Sequence, residues 1–356
     1  MQMTPFEMEL TASDGQRQAL CCQKSLRSIP HRRTVYDATW QGRAVIVKCF
    51  EDFWGEYRCR REKRGLEQLL ARGLDVPKVL RVGKDSAGRP ILVIEKIAHA
   101  VDVLTAVQSA WSHEEAKATL AALFGALARM HQAGVVQNDL HLGNFLAADS
   151  KIYAIDPAYM KFRTTPIAAR KSRCQIAMLM AAIPRQYRVW EAEFLEAYCA
   201  VRGWTYKSGL LETIRLLAAR RRKQYLPRAL KKTLRNSKSF FVLNVPPYRG
   251  VFYKKAFDEQ SARRMIDRVE AIRACGELAG VVEMGGQNYG WVCYRPKNRI
   301  LGLWYRLAGT GARRDWLAGW KAVYTGGSGL KPAGLIESRY GPAWLITEKE
   351  VSSVAF

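Results

Sequence analysis

An α+β chain in three parts is what this sequence predicts: a small antiparallel sheet lobe with one helix over residues 1–97, a helical lobe over 98–239, and a last segment, 240–356, that returns to strands. Three observations carry this division. Up to Ile97, short apolar runs are broken by Gly and Pro turns. Beyond Ile97 the apolar residues recur at helical spacing, and past residue 240 strand-like runs reappear with spacing close to that of the first part. With 356 residues, 48% of them apolar, the chain suffices for one large or two modest domains, each with its own core.

Taken in order, Val35, Tyr36, Thr39 and Trp40, then Ala44-Val45-Ile46-Val47, read as two strands joined at Gln41-Gly42. From Glu51 the residues Tyr57, Leu66, Leu69 and Leu70 mark one face of a helix that Gly73 is placed to stop. Pro77 to Val82 and Ile91 to Glu95 are two further strands about the turn Ser86-Ala87-Gly88-Arg89-Pro90. Ser112-His113-Glu114-Glu115 resembles a capping box, and the Leu- and Ala-rich helix it opens runs through Ala118 to His131, ending at Gly134. Val135-Val136 and Ile152 to Ile155 are short strands, and Ile167 to Arg222 is helical again.

The formal charge of +25 at pH 7 predicts anionic company: nucleic acid, a phosphorylated glycolipid or a negatively charged membrane face. The excess is concentrated where no carboxylate stands between Glu212 and Asp258, around Arg220-Arg221-Arg222-Lys223, Arg228, Lys231, Lys232, Arg235 and Lys238. This stretch reads equally well as a solvated helix face or, with Tyr225, Leu226, Leu230 and Leu234 interleaved, as a helix lying along an acidic surface. Eight cysteines stand without a CxxC pair or matching histidines, which points to reduced thiols in cytosol and neither to zinc nor to a disulfide framework. No apolar run approaches the roughly 18 residues of a membrane span, so a meeting with a membrane is expected to be peripheral.

The chemistry gathers at Gln137-Asn138-Asp139-Leu140-His141-Leu142-Gly143-Asn144, with Asp156 following the strand Ile152 to Ile155. An aspartate and an asparagine five apart, joined to a later aspartate, suit phosphoryl transfer. The first aspartate, Asp139, accepts the proton of an attacking hydroxyl, and Asn144 and Asp156 hold Mg²⁺ on the phosphates of ATP. Alone, each would be an ordinary Asx turn or cap; together they supply oxygen ligands converging from separate segments, as Mg²⁺ demands. Lys48 closes an apolar strand, and Glu62 on the following helix, with Glu67 as the alternative, pairs with it to orient the ammonium onto the α- and β-phosphates. Glu95 marks the place where backbone groups meet adenine. His141 orients Asp139, touches a phosphate or, as an isolated histidine, is structural. The stretch Ser28 to Thr34 occupies the phosphate-loop position without GxGxxG, so a phosphate grip there comes from backbone amides, Thr34 or the arginines.

With Lys48, Glu62, Asp139-Leu140-His141-Leu142-Gly143-Asn144 and Asp156 in this order, the first 240 or so residues resemble the bacterial lipopolysaccharide kinase family, the heptose and Kdo kinases of the lipopolysaccharide core. The Asp-Leu-His-x-x-Asn form and Asp156-Pro157, in place of Asp-Phe-Gly, favour this branch over ordinary protein kinases. Leu230-Lys231-Lys232-Thr233-Leu234-Arg235-Asn236 also looks like the family's end-of-domain sequence, and the histidine that usually precedes the catalytic aspartate by two is Gln137 here. The resemblance implies a protein-kinase-like bilobal fold. It also implies transfer of the γ-phosphate of ATP to a sugar hydroxyl of a nascent lipopolysaccharide core glycolipid, at the cytoplasmic face of the inner membrane. The positive charge fits such a substrate in an anionic bilayer independently, with an attraction that weakens in salt.

In the last third, Lys331-Pro332 leading to Leu345-Ile346-Thr347-Glu348-Lys349 echoes Val76-Pro77 leading to Leu92-Val93-Ile94-Glu95-Lys96. Tyr289 to Tyr294 echoes the strand ending at Lys48, and Arg313 to Trp320 is a helix. These residues predict a partial, degenerate second small lobe, with Val292 or Cys293 at the lysine position and no second Asp-x-x-x-x-Asn. The alternatives to a sugar kinase are a protein or small-molecule kinase, and a pseudokinase-like protein that binds nucleotide or glycolipid without turnover. A nucleic-acid binder explains the charge but none of Lys48, Asp139, Asn144 and Asp156, so no nucleic-acid partner is expected.

Overall fold

Strand pairing from Phe6 onward builds a closed barrel, seen in a computed structural model that describes residues 4–12, 14–296, 309–325, 327, 329–338 and 341–348. Its strands are β1 (Phe6–Ala12), β2 (Arg17–Ile29), β3 (Arg33–Trp40), β4 (Arg43–Phe50), β5 (Val79–Lys84) and β6 (Pro90–Glu95). They run antiparallel in the order β1-β2-β3-β4-β6-β5, and β5 returns to β1. Alternation along the strands turns Leu10, Leu20, Val45, Val47 and Val93 into a core of their own. The expected hairpin is β3–β4; Gln41 and Gly42 both have positive φ, 49° and 73°, as a two-residue turn matched to strand twist requires. Two strands ahead of Thr34, β1 and β2, add to the expected sheet. Their alternation is diluted by Gln18, which shares the inward face of Leu20 and Cys22, and by a shift of register between Cys22 and Lys24.

Helix α1 (Gly55–Leu70) follows β4 and buries Cys59, Glu62, Leu66 and Leu69 on one face. Leu66 and Leu69 join Phe50, Leu92 and Ile94 with the helical residues Leu120, Phe124 and Leu127 in one continuous core. After the two-residue strand β7 (Val101–Asp102) come α2 (Val103–Ser109) and α3 (His113–Gln132). Ser112 caps α3 as its sequence predicts, its Oγ accepting the Glu115 N–H at 3.1 Å. Four short strands then hold the acidic loops: β8 (Val135–Gln137), β9 (Phe145–Ala148), β10 (Lys151–Ala154) and β11 (Met160–Phe162). Helices α4 (Ala169–Ala182), α5 (Glu191–Arg202) and α6 (Ser208–Lys232) complete this part.

The chain divides into two compact units, 1–219 and 220–356, rather than at 239. The physical reason lies in Leu230 and Leu234. Both pack with Phe240, Trp316 and Trp320 in a core of the second unit, and Trp316 Nε1 donates to Thr233 Oγ1 at 3.1 Å. Leu230 and Leu234 are therefore turned inward, and they do not form the apolar face of a surface-seeking helix. The basic residues around them remain exposed, with Lys232 lying 6.0 Å from the Tyr225 ring centroid. No helix among the described residues is long and apolar enough to cross a membrane.

The second unit is a six-stranded antiparallel sheet with β12 (Phe240–Val245), β13 (Tyr248–Tyr253), β14 (Ala279–Met284), β15 (Gln287–Tyr294), β16 (Pro332–Ser338) and β17 (Ala343–Glu348). The strand order is β12-β13-β16-β17-β15-β14. Helix α7 (Glu259–Cys275) packs Met265, Ile266 and Val269 against Phe252 and Trp344, and α8 (Gly311–Thr325) packs Trp316 and Trp320 against Phe240 and Leu335. Helix α8 and the strands at 289–294, 332 and 345–348 lie where their sequence places them; Lys349 is outside the described residues. The hairpin β12–β13 and α7 have no counterpart in the sequence expectation, and the sheet is open where the first unit's is closed.

Candidate active site

Two hairpin-like pairings bring the acidic segments together. In the first, β9 and β10 pair with Phe145 opposite Ala154, so the residues just outside the hairpin adjoin, and Asn144 O accepts the Ile155 N–H at 2.9 Å. In the second, β8 pairs with β11, Gln137 opposite Met160, and Asn138 N–H donates to Tyr159 O at 3.2 Å. Asp139, Asn144 and Asp156 thus come from loops zipped to one another. Asp156 sits in the left-handed region, φ 56° and ψ 61°, a conformation Asp tolerates better than most residues.

Asn144 is buried and donates Nδ2–H to the Asp139 carbonyl at 2.7 Å, while its Oδ1 receives no hydrogen bond among the described residues. An amide oxygen of that kind fits a Mg²⁺ that keeps most of its shell as phosphate oxygens and water. Among the described residues no group of three or more His, Cys, Asp and Glu could hold an ion, so a metal here would rest on Asn144 and Asp156 with the substrate's own phosphates. The Asp139 carboxylate is 64% exposed, and the His141 Nε2 lies 3.9 Å from it.

Lys48, on β4, pairs with Leu92 of β6 and is buried. Its ammonium contacts the Glu62 carboxylate, itself only 1% exposed. Glu67, the alternative partner, faces outward toward Lys63 at 3.7 Å. The other Glu62 oxygen accepts from Arg33 Nη1 at 3.1 Å, and Arg33 Nη2 stands 3.7 Å from the Asp156 carboxylate. Arg33 therefore links the Glu62 carboxylate on the helix to the Asp156 carboxylate, at the position where a glycine-rich loop is absent. A cavity of ≈ 460 Å³ is lined by Arg33, Glu62, Asp139 and Asp156 together.

Thr34 and Glu95 are not brought to this cavity. The Thr34 hydroxyl donates to Glu51 Oε1 at 2.6 Å, while its neighbour Arg33 lines the cavity. Glu95 ends β6 with its N–H donated to Lys78 O at 2.9 Å and its carboxylate accepting the Lys78 N–H at 3.3 Å.

Gln137 is fully buried and supports the loop from three sides. Its Oε1 accepts the Asp139 N–H at 3.3 Å, its Nε2–H reaches Asp156 O at 3.4 Å, and its carbonyl accepts from Gln175 Nε2. Gln175 Oε1 in turn binds His131 Nε2 at 2.9 Å, and His131 Nδ1 lies 2.7 Å from Tyr198 Oη. This relay of buried side chains from α3, α4 and α5 had no sequence signal beyond polar residues on apolar helix faces. Burial pushes the His131 imidazole down to about 4, against a smaller opposing pull from Gln175. The neutral form is the folded form, so the stability it contributes is full above pH 6.5, the unfolded value, and is lost as pH falls toward 4. Between pH 7.5 and 5 this group alone should remove about 2 kcal/mol, as integration of the linkage relation gives. His131→Gln, which cannot titrate, should show that much less acid sensitivity in denaturant midpoints of the first unit. Equal slopes for both proteins would refute the assignment.

Helix α1 meets the Asp156-Pro157 turn at Gly65, where a Cβ would lie 2.6 Å from Pro157 Cβ. A larger residue forces α1 off that turn, and with it Glu62. Gly65→Val should cost about 1–3 kcal/mol from overpacking and lower turnover as well; unchanged melting temperature and rate would show that this contact is slack.

Residues 39–172 match the lipopolysaccharide kinase (Kdo/WaaP) family. No curated protein matches the chain. Among solved structures it is similar to "Structure of vaccinia related kinase 3", at 11% identity and a TM-score of 0.36, over 62% of this chain and 93% of that one, a likeness too slight to add to the geometry. The matched segment is the one that holds Lys48, Glu62, Asp139, Asn144 and Asp156, and its similarity is to the lipopolysaccharide kinase (Kdo/WaaP) family.

Proposed function

We propose that this protein is an ATP- and Mg²⁺-dependent kinase that phosphorylates a heptose or Kdo hydroxyl of the lipopolysaccharide inner core, acting peripherally at the cytoplasmic membrane face. The observation that carries the reading is the single cavity lined by Asp139, Asp156, Glu62 and Arg33, with Lys48 on Glu62 behind it. In this reading the barrel with α1 is the small lobe and the helical block the large lobe of a protein-kinase-like fold. Asp139 takes the proton of the acceptor hydroxyl as its oxygen bonds to the γ-phosphorus; the bond from that phosphorus to the β-bridging oxygen breaks, and ADP leaves. Lys48, aligned by Glu62, holds the α- and β-phosphate oxygens. A Mg²⁺ on Asn144 and Asp156 would offset phosphate charge. The basic surface favours an anionic glycolipid in an anionic bilayer, with binding that weakens in salt.

The second unit supports a further part of the reading: a degenerate small lobe without phosphoryl chemistry. Its β14-β15-β17-β16 order matches β3-β4-β6-β5 of the barrel. Glu95 N–H donates to Lys78 O and Glu348 N–H donates to Lys331 O, both at 2.9 Å, and each pair is 17 residues apart. Lys48 pairs with Leu92, three before Glu95, and Val292 pairs with Leu345, three before Glu348. Val292 thus stands at the lysine position, and no ammonium is available there.

Nucleotide binding without turnover is the second reading, favoured by Arg33 standing against Asp156, a carboxylate that catalysis assigns to the metal. One experiment decides between them. Purified protein, ATP and Mg²⁺ are incubated with deacylated core oligosaccharide, and the phosphate content of the sugar is compared with that from Asp139→Ala. Transfer by wild type alone supports the kinase; equal signals reject Asp139 as the base. Nucleotide binding without transfer supports the pseudokinase, and transfer to protein instead of sugar supports a protein kinase.

A further inference from the structure

The cavity beside Asp139 is walled by arginines and aromatic rings as well as by carboxylates. Arg33 is engaged by Glu62 and Asp156, and Arg58 by Asp52. Arg27, Arg32 and Arg61 line the same wall without an ion-pair partner among the described residues, Arg61 standing 5.8 Å from the Tyr159 ring centroid. Trp54 and Tyr57 present their rings here at 60% and 58% exposure. Guanidinium groups gathered without counter-charge repel one another until an anion arrives, and their planar forks match phosphate or carboxylate oxygens in pairs. Exposed flat rings beside them suit the C–H face of a pyranose. The volume, ≈ 460 Å³, falls within the range of small-ligand sites.

We infer that this wall is the acceptor subsite, and that it selects a sugar already carrying a phosphate or carboxylate. Arg27 and Arg61 hold that anion and Trp54 and Tyr57 cover the ring, so that a hydroxyl of the same or the adjoining sugar faces Asp139. The inference rests on the kinase reading above for the role of Asp139, but its test does not depend on turnover.

Binding of a deacylated, phosphorylated core oligosaccharide to the full chain is measured by calorimetry, for wild type and for Arg27→Ala/Arg61→Ala. The same sugar after phosphatase treatment, and after carboxyl reduction, separates the two sources of the anion. Wild type should bind the untreated sugar, and one of the two treatments should abolish most of that binding. The double variant should bind about tenfold more weakly per arginine removed, the scale of a charge-assisted hydrogen bond, with its affinity for MgADP unchanged. Absence of binding by wild type, equal binding of all three sugars, or equal binding by the variant overturns the subsite. So does a parallel loss of MgADP affinity, which would give these arginines to the nucleotide. Should both ligands bind as expected and no phosphate move, the kinase reading fails and the subsite stands.

Discussion

Asp139→Ala is expected to lower kcat by about 10²–10⁴ while leaving MgADP affinity and the melting temperature near wild type. The geometry separates these effects. The side chain is 64% exposed, the His141 Nε2 stands 3.9 Å from its carboxylate, and no backbone N–H is donated to it among the described residues. What holds the loop is the residue's backbone: its N–H on Gln137 and its carbonyl accepting from Asn144. Truncating the side chain removes the proton acceptor and leaves those bonds in place. Single-turnover transfer to the oligosaccharide, read beside MgADP titration, tests this directly. A matching collapse of stability would mean that the carboxylate is structural, and a wild-type rate would mean that another group takes the proton.

The second large effect belongs to Asp156→Asn. Asparagine keeps the shape and tolerates the left-handed backbone at φ 56°, so the turn into Pro157 should survive. The charge does not. If Asp156 holds the metal, several kcal/mol of phosphate stabilisation goes with it, and kcat/KM should fall by roughly 10³ or more, at about tenfold per 1.36 kcal/mol. The Mg²⁺ concentration needed for half-maximal activity should rise, and MgADP should bind weakly or not at all. Retention of full MgADP affinity would remove Asp156 from the metal.

Much of this site was legible from residue type and order. Asp139, Asn144 and Asp156 are informative because Mg²⁺ and a transferred phosphoryl group need oxygen donors from separate segments, and that demand leaves a spacing in the chain. Lys48 was legible for a related reason: an ammonium ending an apolar strand, with a carboxylate on the next helix. Glu62 rather than Glu67 is settled by helical phase, since Leu66 and Leu69 fix which face is buried. The failures also have a cause. Thr34 and Arg33 are adjacent on β3, and which of them meets the carboxylates depends on the strand's facing, invisible without its partners. Leu230 and Leu234 show helical spacing whether their stripe meets a membrane or a protein core, and only Phe240 and Trp316 decide for the core.

The sequence by itself determined the hairpin at Gln41-Gly42, the capped helix after Ser112 and the acidic and amide residues of the candidate site, because turns, caps and side-chain chemistry are local demands on residue type. Tertiary structure alone decided that Arg33 bridges Glu62 and Asp156, that Gly65 lets α1 close on Pro157, and that His131 and Gln175 brace Gln137 from within the helical core. Each of those depends on distances between segments far apart in the chain, and no residue's type or neighbours encode which distant surface it will meet.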